Sequence, residues 1–178
     1  RKLELVTEVP ERAMVIFAHP DDAEIGSGGV TAKWIAAGCE VTYVLCTNGD
    51  SGTADRSLTP DDLAARRAIE QRAAADFMGV KHVVMLGYPD GGMLRLLTQN
   101  QAAAYTSRYT GAAAVPYADA VFPGHPYTGA RLREDFAAVL AQVKPTLILA
   151  PSPLDSHPDH RAAGLLTTAA GECTDERR

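Results

Sequence analysis

Ala18-His19-Pro20-Asp21-Asp22-Ala23-Glu24 follows directly on the apolar run Met14 to Phe17 and leads into Gly26-Ser27-Gly28-Gly29. A short apolar run ending in polar, metal-capable residues reads as a buried strand that delivers a site to its C-terminal edge, where open α/β sheets bind ligands. Pro20 fixes one φ and biases His19 towards an extended conformation, so the chain leaves the strand in a sharp turn. His19 and Asp22 can then point to one side, with Asp21 at the same mouth. An imidazole beside a carboxylate suits Zn²⁺ or another divalent metal and leaves a second carboxylate for proton transfer. Taken alone, the stretch equally suits a loop with an Asx-turn and a helix cap.

A second stretch, Ser156-His157-Pro158-Asp159-His160, tips that balance. It follows the apolar run Thr146 to Ala150 and precedes a small-residue helical segment, Ala162 to Ala170. Two strand ends that each carry His-Pro-Asp are hard to explain as two unrelated turns.

HPDDAEIGSGG near the N-terminus with HPDH near the C-terminus resembles the PIG-L/LmbE-like zinc deacetylases, from about Met14 to Ala170. The resemblance implies removal of acetyl from an N-acetylglucosamine-containing substrate by metal-dependent amide hydrolysis. It implies Zn²⁺, or another divalent metal such as Fe²⁺, held by His19, Asp22 and His160, with a coordination position left for water. It implies Asp21 as general base, His157 as the group that stabilises the oxyanion, and Asp159 as the partner that orients His157. Arg67, in the Arg-x-x-Glu pattern with Glu70 as its orienter, and Asp90, in Gly87-Tyr88-Pro89-Asp90-Gly91-Gly92, match positions that contact substrate. Their bland readings are a surface ion pair and a Pro-Asp-Gly turn. Two other classes share parts of the pattern. The facial triad of non-haem Fe(II) oxygenases also uses two His and one carboxylate, but no cosubstrate clamp is evident. A non-catalytic sugar-binding module would have no use for Asp21.

Between the two motifs, strand and helix signals alternate. Val41 to Thr47 reads as a buried parallel strand. Thr59-Pro60-Asp61-Asp62 starts a helix that Gly79 ends. Val83 to Leu86 is a third strand, and Ala130 to Val143 an amphipathic helix stopped by Pro145. Gly26 to Gly38 reads as the first helix, with Ala32, Ile35 and Ala36 inward. Its glycines do not match GxGxxG and are assigned to close helix–strand packing. The expected fold is α/β, a Rossmann-like doubly wound, mostly parallel sheet with helices on both faces.

The 178 residues fit a single domain, with a long inserted loop at about 94–128. Its tyrosines (Tyr105, Tyr109, Tyr117, Tyr127) suggest a sugar-facing lid or an oligomer contact, and His125 reads as a loop histidine. The relatives continue with further strands after the point where this chain reaches Arg178, so a truncated C-terminus is expected. The start at Arg1 leaves room for a removed signal or tag. A net charge of −5 without a basic tract argues against nucleic acid. No apolar run is long enough for a transmembrane span. Cys39, Cys46 and Cys173 have no CxxC spacing and read as small residues of a reducing, cytoplasmic protein. The expected partner is a small-molecule N-acyl amino sugar or its conjugate, with a homo-oligomer compatible.

Overall fold

β1 (Arg12–Phe17) is one of the two inner strands of a four-stranded parallel sheet. The computed structural model describes residues 7–175, and side chains as far as 170. The chain's two ends, including the Arg1 start, Cys173 and the expected truncation, lie outside the described side chains.

β2 (Glu40–Thr47) pairs with β1 on one side, and β3 (His82–Tyr88) extends the sheet beyond it. β4 (Leu147–Leu149) pairs with β1 on the other side, with Val15 opposite Leu149. The winding therefore reverses between β1 and β4. Sheets of this type hold their ligand crevice at that reversal, outside the carboxyl ends of the strands. Both His-Pro-Asp motifs leave from those two ends.

Strand alternation explains the two-faced core. Ala13, Val15 and Phe17 pack with Val41, Tyr43 and Leu45 against α1 (Asp22–Ala36) and α2 (Pro60–Met78). Met14 and Ile16 point the other way. They pack with Val44, Leu86, Phe136 and Leu166 in a cluster that takes in α3 (Met93–Thr98), α4 (Gly129–Val143) and α5 (Pro158–Asp175). Helices on both faces bury β1 and most of β2 and β3, while β4 at the sheet edge is half-buried.

Thr59 accepts a hydrogen bond from the Asp62 amide, Pro60 stands at the first helical position, and Gly79 ends α2 at φ 82°. Local cap chemistry sets that helix, and its ends fall where the sequence puts them. α1 differs. It begins at Asp22, four residues earlier than the sequence suggests, so the frame of its inner face rotates. Ala23, Ser27 and Thr31 are buried, while Ala32 and Ala36 are exposed. Gly26 does serve close packing, since a Cβ there would lie 2.7 Å from the Phe17 ring.

The 94–128 segment packs against the core. α3 forms its start, and Tyr105, Tyr117 and Tyr127 turn inward and join the core. Tyr127 donates to the Gly87 carbonyl at 3.0 Å and Tyr117 to Asp50 Oδ2 at 2.6 Å. Only Tyr109, among those four tyrosines, remains substantially exposed. His125 faces Asp135, which also accepts from the Tyr88 hydroxyl, and so ties the segment to α4. Cys39 and Cys46 are buried free thiols. No helix of the described residues is long and apolar enough to cross a membrane.

Candidate metal centre

The turn after β1 places His19 and Asp22 on one another. Asp22 Oδ2 accepts the His19 backbone N–H at 2.8 Å and lies 3.1 Å from His19 Nδ1. The same oxygen lies 3.1 Å from His160 Nε2, carried in by the start of α5. Two donors of a tetrahedral Zn²⁺ with bonds of about 2.0–2.2 Å stand roughly 3.4 Å apart. The structure thus brings the three expected ligands together, with Asp22 Oδ2 beside a ring nitrogen of each histidine.

More carboxylates close around His19. Its Nε2 lies 3.2 Å from Asp90 Oδ1 and 3.4 Å from Asp159 Oδ2. Burial opposes a charged His19, yet hydrogen bonds to Asp159, Asp22 and Asp90 outweigh it and push its pKa up to about 11. Burial also opposes the Asp90 carboxylate, but His19 and the Ser51 amide hold its pKa down at about 2. The same balance, with His19 as the main favourable partner, lowers Asp22. A cluster that charges an imidazole this strongly has the electrostatics of a cation site. Donor atoms of His19, His157 and His160 gather within 4.8 Å of one another, as do those of His19, Asp90 and Asp159.

Several expected roles meet different partners. Asp159 meets the His157 ring through its backbone N–H, which donates to His157 Nδ1 at 3.3 Å, while its carboxylate has other partners. That carboxylate is fully buried and accepts the amides of Gly91 at 2.6 Å and Met93 at 3.0 Å, so the side chain ties α5 to the loop before α3. His157 is exposed, with its ring 4.8 Å from those of His19 and His160. Glu70 does not orient Arg67, because it pairs with Arg66 at 2.9 Å one turn along the helix. Arg67 reaches across to the β1 turn instead, donating to the Pro20 carbonyl at 2.9 Å and to Asp21 Oδ2 at 2.8 Å. The Asp21 side chain is 59% exposed. Both Asp90 oxygens are engaged, one by His19 and the other by the Ser51 amide.

Three further residues carry the geometry. Asp155 faces His160 Nδ1 at 3.4 Å and accepts the His157 amide at 2.8 Å. An Asp two residues before a His-Pro is an Asx-turn signal that could have drawn attention to it. Gln71 accepts the Asp21 amide at 2.9 Å. Asp50 is buried beside the cluster, and burial pushes its pKa up to about 6 despite the Tyr117 hydrogen bond. Nothing local in the sequence marks Gln71 or Asp50.

Fold and site together define a Rossmann-like α/β protein with an imidazole–carboxylate cluster at its switch point. The family model described as PIG-L, GlcNAc-PI de-N-acetylase, matches residues 14–171, and the chain belongs to that family. The diacetylchitobiose deacetylase of Thermococcus kodakarensis is 30% identical over 159 residues, covering 88% of this chain and 47% of that protein. A 1D-myo-inositol 2-acetamido-2-deoxy-alpha-D-glucopyranoside deacetylase of Actinosynnema mirum is 31% identical over 174 residues, 90% of this chain and 55% of the relative. Among solved structures, the inhibitor complex of the N,N'-diacetylchitobiose deacetylase of Pyrococcus horikoshii matches with a TM-score of 0.66 at 32% identity. It covers 89% of this chain and 48% of that one. The chain spans about half the length of the curated relatives it matches.

Proposed function

We propose that the protein is a zinc-dependent N-deacetylase acting on an N-acetylglucosamine-containing small molecule. One observation carries the reading: a single carboxylate oxygen, Asp22 Oδ2, stands 3.1 Å from a ring nitrogen of both His19 and His160, next to a second aspartate. His19, Asp22 and His160 are the residues that would hold the ion. Once bound, Zn²⁺ supplies a Lewis acid that polarises the acetyl carbonyl and acidifies water. Asp21 takes the proton of the attacking water, with Arg67 holding its carboxylate at 2.8 Å. His157, exposed beside both histidine rings, donates to the oxyanion. Asp155 and Asp159 hold the His157-to-His160 turn from two sides. Arg67 and Asp90 are assigned to the sugar, whose hydroxyls suit a guanidinium and a carboxylate.

Support for the substrate class comes from relatives named for acetylated amino sugars. The decisive experiment strips the protein of metal, reloads it with Zn²⁺, and follows amine and acetate release from a panel of N-acetylglucosamine conjugates. His19→Ala, Asp22→Ala and His160→Ala should each lose the bound zinc and the activity. Stoichiometric zinc retained in all three would sink the ligand assignment. Binding without acetate release would favour a sugar-binding module, and turnover that requires Fe²⁺ and O₂ an oxygenase.

A further inference from the structure

We propose that Gln71 is a positioning residue for Asp21, holding the backbone of the general base in a left-handed turn through a relay that Glu24 orients. The inference rests on the reading of Asp21 as the base.

Asp21 has φ 93° and ψ −28°. Among the described residues, only it and Lys144 are non-glycines at positive φ. A side-chain-bearing residue stays in that region only where its surroundings over-determine it. α2 supplies the constraint. Arg67 and Gln71 are four apart, so both project from one face of the helix onto the β1–α1 turn. Arg67 grips the Pro20 carbonyl and the Asp21 carboxylate. Gln71 takes the Asp21 N–H on its Oε1 at 2.9 Å.

A glutamine amide can face either way, and only one way works. Its carbonyl must face Asp21, because an NH₂ group there would set donor against donor. Glu24 makes the choice: its Oε1 accepts Gln71 Nε2 at 2.7 Å, which turns the donor end of the amide away from Asp21. Gln71 is 2% exposed, so solvent cannot replace either bond. Both ends of the buried amide therefore grip the first turn of α1, at Asp21 and at Glu24. The Asp21 side chain leaves this fixed backbone at the rim of a cleft of about 280 Å³ that Arg67, Gln71 and Glu24 also line. If the left-handed turn relaxed, the Cα–Cβ direction would swing and the carboxylate would leave its position. Misplacement of a reacting group by about 1 Å can cost on the order of 10²-fold in rate.

The test compares three variants in the zinc-loaded protein. Gln71→Met removes both hydrogen bonds at similar volume. Gln71→Glu keeps an acceptor for Asp21 but sets two carboxylates face to face. Gln71→Glu combined with Glu24→Gln reverses donor and acceptor across the pair and restores the relay. Gln71→Met should keep its zinc and its KM while kcat falls about 10- to 100-fold. Its Asp21 amide should exchange faster with solvent, read by NMR. The double variant should regain most of the kcat and of the amide protection lost in Gln71→Glu. Parental kcat and exchange in Gln71→Met, or a double variant no better than Gln71→Glu, would overturn the proposal. Should Gln71→Met fail to fold, the Gln71→Glu comparison decides alone. Amine release by the unsubstituted protein tests the deacetylase reading on which the base assignment rests, and Asp21→Asn tests the base itself. If amine release is absent, amide exchange still shows whether Gln71 holds Asp21.

Discussion

Asp159 offers the sharpest energetic test. Its carboxylate is fully buried and accepts two backbone amides from another segment, Gly91 at 2.6 Å and Met93 at 3.0 Å. Asp159→Asn keeps the shape but leaves one oxygen for two donors and turns an NH₂ group towards the second. A hydrogen bond to a charged group contributes about 1.5–3 kcal/mol, and an orphaned buried donor costs about 1–3 kcal/mol. Because these overlap, the expected loss is about 2–4 kcal/mol. Asp159→Ala orphans both amides and should lose about 3–5 kcal/mol. The assay is urea unfolding in excess EDTA, so that metal loss cannot enter the comparison. With m of about 2 kcal/mol per molar urea, the middle of the usual range, the Asp159→Asn midpoint should fall by about 1–2 M. Asp119→Asn, which breaks an exposed pair with Arg72, is the control and should change stability by less than about 1 kcal/mol. If Asp159→Asn and Asp119→Asn unfold alike, Asp159 does not tie α5 to the loop before α3.

Two further outcomes follow from the cluster. Asp21→Asn should keep its zinc and lose about 10²- to 10⁴-fold in kcat, the usual worth of a positioned general base; zinc loss would mean that the roles of Asp21 and Asp22 are exchanged. In the metal-free protein, His19 is held above its ordinary 6.5 at about 11, so its contribution is complete below about pH 6.5 and drains away as pH climbs towards 11. Asp90, held at about 2, contributes above its ordinary 3.8 and loses that contribution as pH falls through 2. Asp50, raised to about 6, gives up its contribution as pH rises from 3.8 to 6. Stability in EDTA should therefore fall between pH 6.5 and 9 by about 1.4 kcal/mol per pH unit more in the parent than in His19→Gln; parallel profiles would refute the His19 assignment.

How much was legible depended on how far apart the interacting residues stand. α2 was readable because Thr59, Pro60 and Gly79 set its ends with their own backbone. The strands were readable because parallel strands buried on both faces are apolar throughout. α1 and α5 begin inside the two motifs, at Asp22 and Pro158, where residues read as site chemistry also form the first helical turn. That double duty hid the helix starts and misplaced the inner face of α1. The inward tyrosines of 94–128 could not be told from a lid, since an aromatic side chain suits a core as well as a sugar. The grip of Gln71 on Asp21 spans 50 residues, and that of Asp159 on Gly91 spans 68. No local pattern encodes either one.

The reversal of winding between β1 and β4 gives the cluster a further character. His19 and His160 leave from adjacent strands, yet almost the whole chain runs between them. No early piece of the chain holds both rings, so the ion can be gripped in full only after β4 has docked beside β1. On the proposed ligand set, an ion bound there would act as a clasp on the long stretch of chain between the two histidines. It stabilises the closed chain over every partly assembled form, because it binds the finished arrangement and not the open one. With the proposed ligands, metal uptake during refolding should therefore track the docking of β4 beside β1, making the bound ion a reporter of that step.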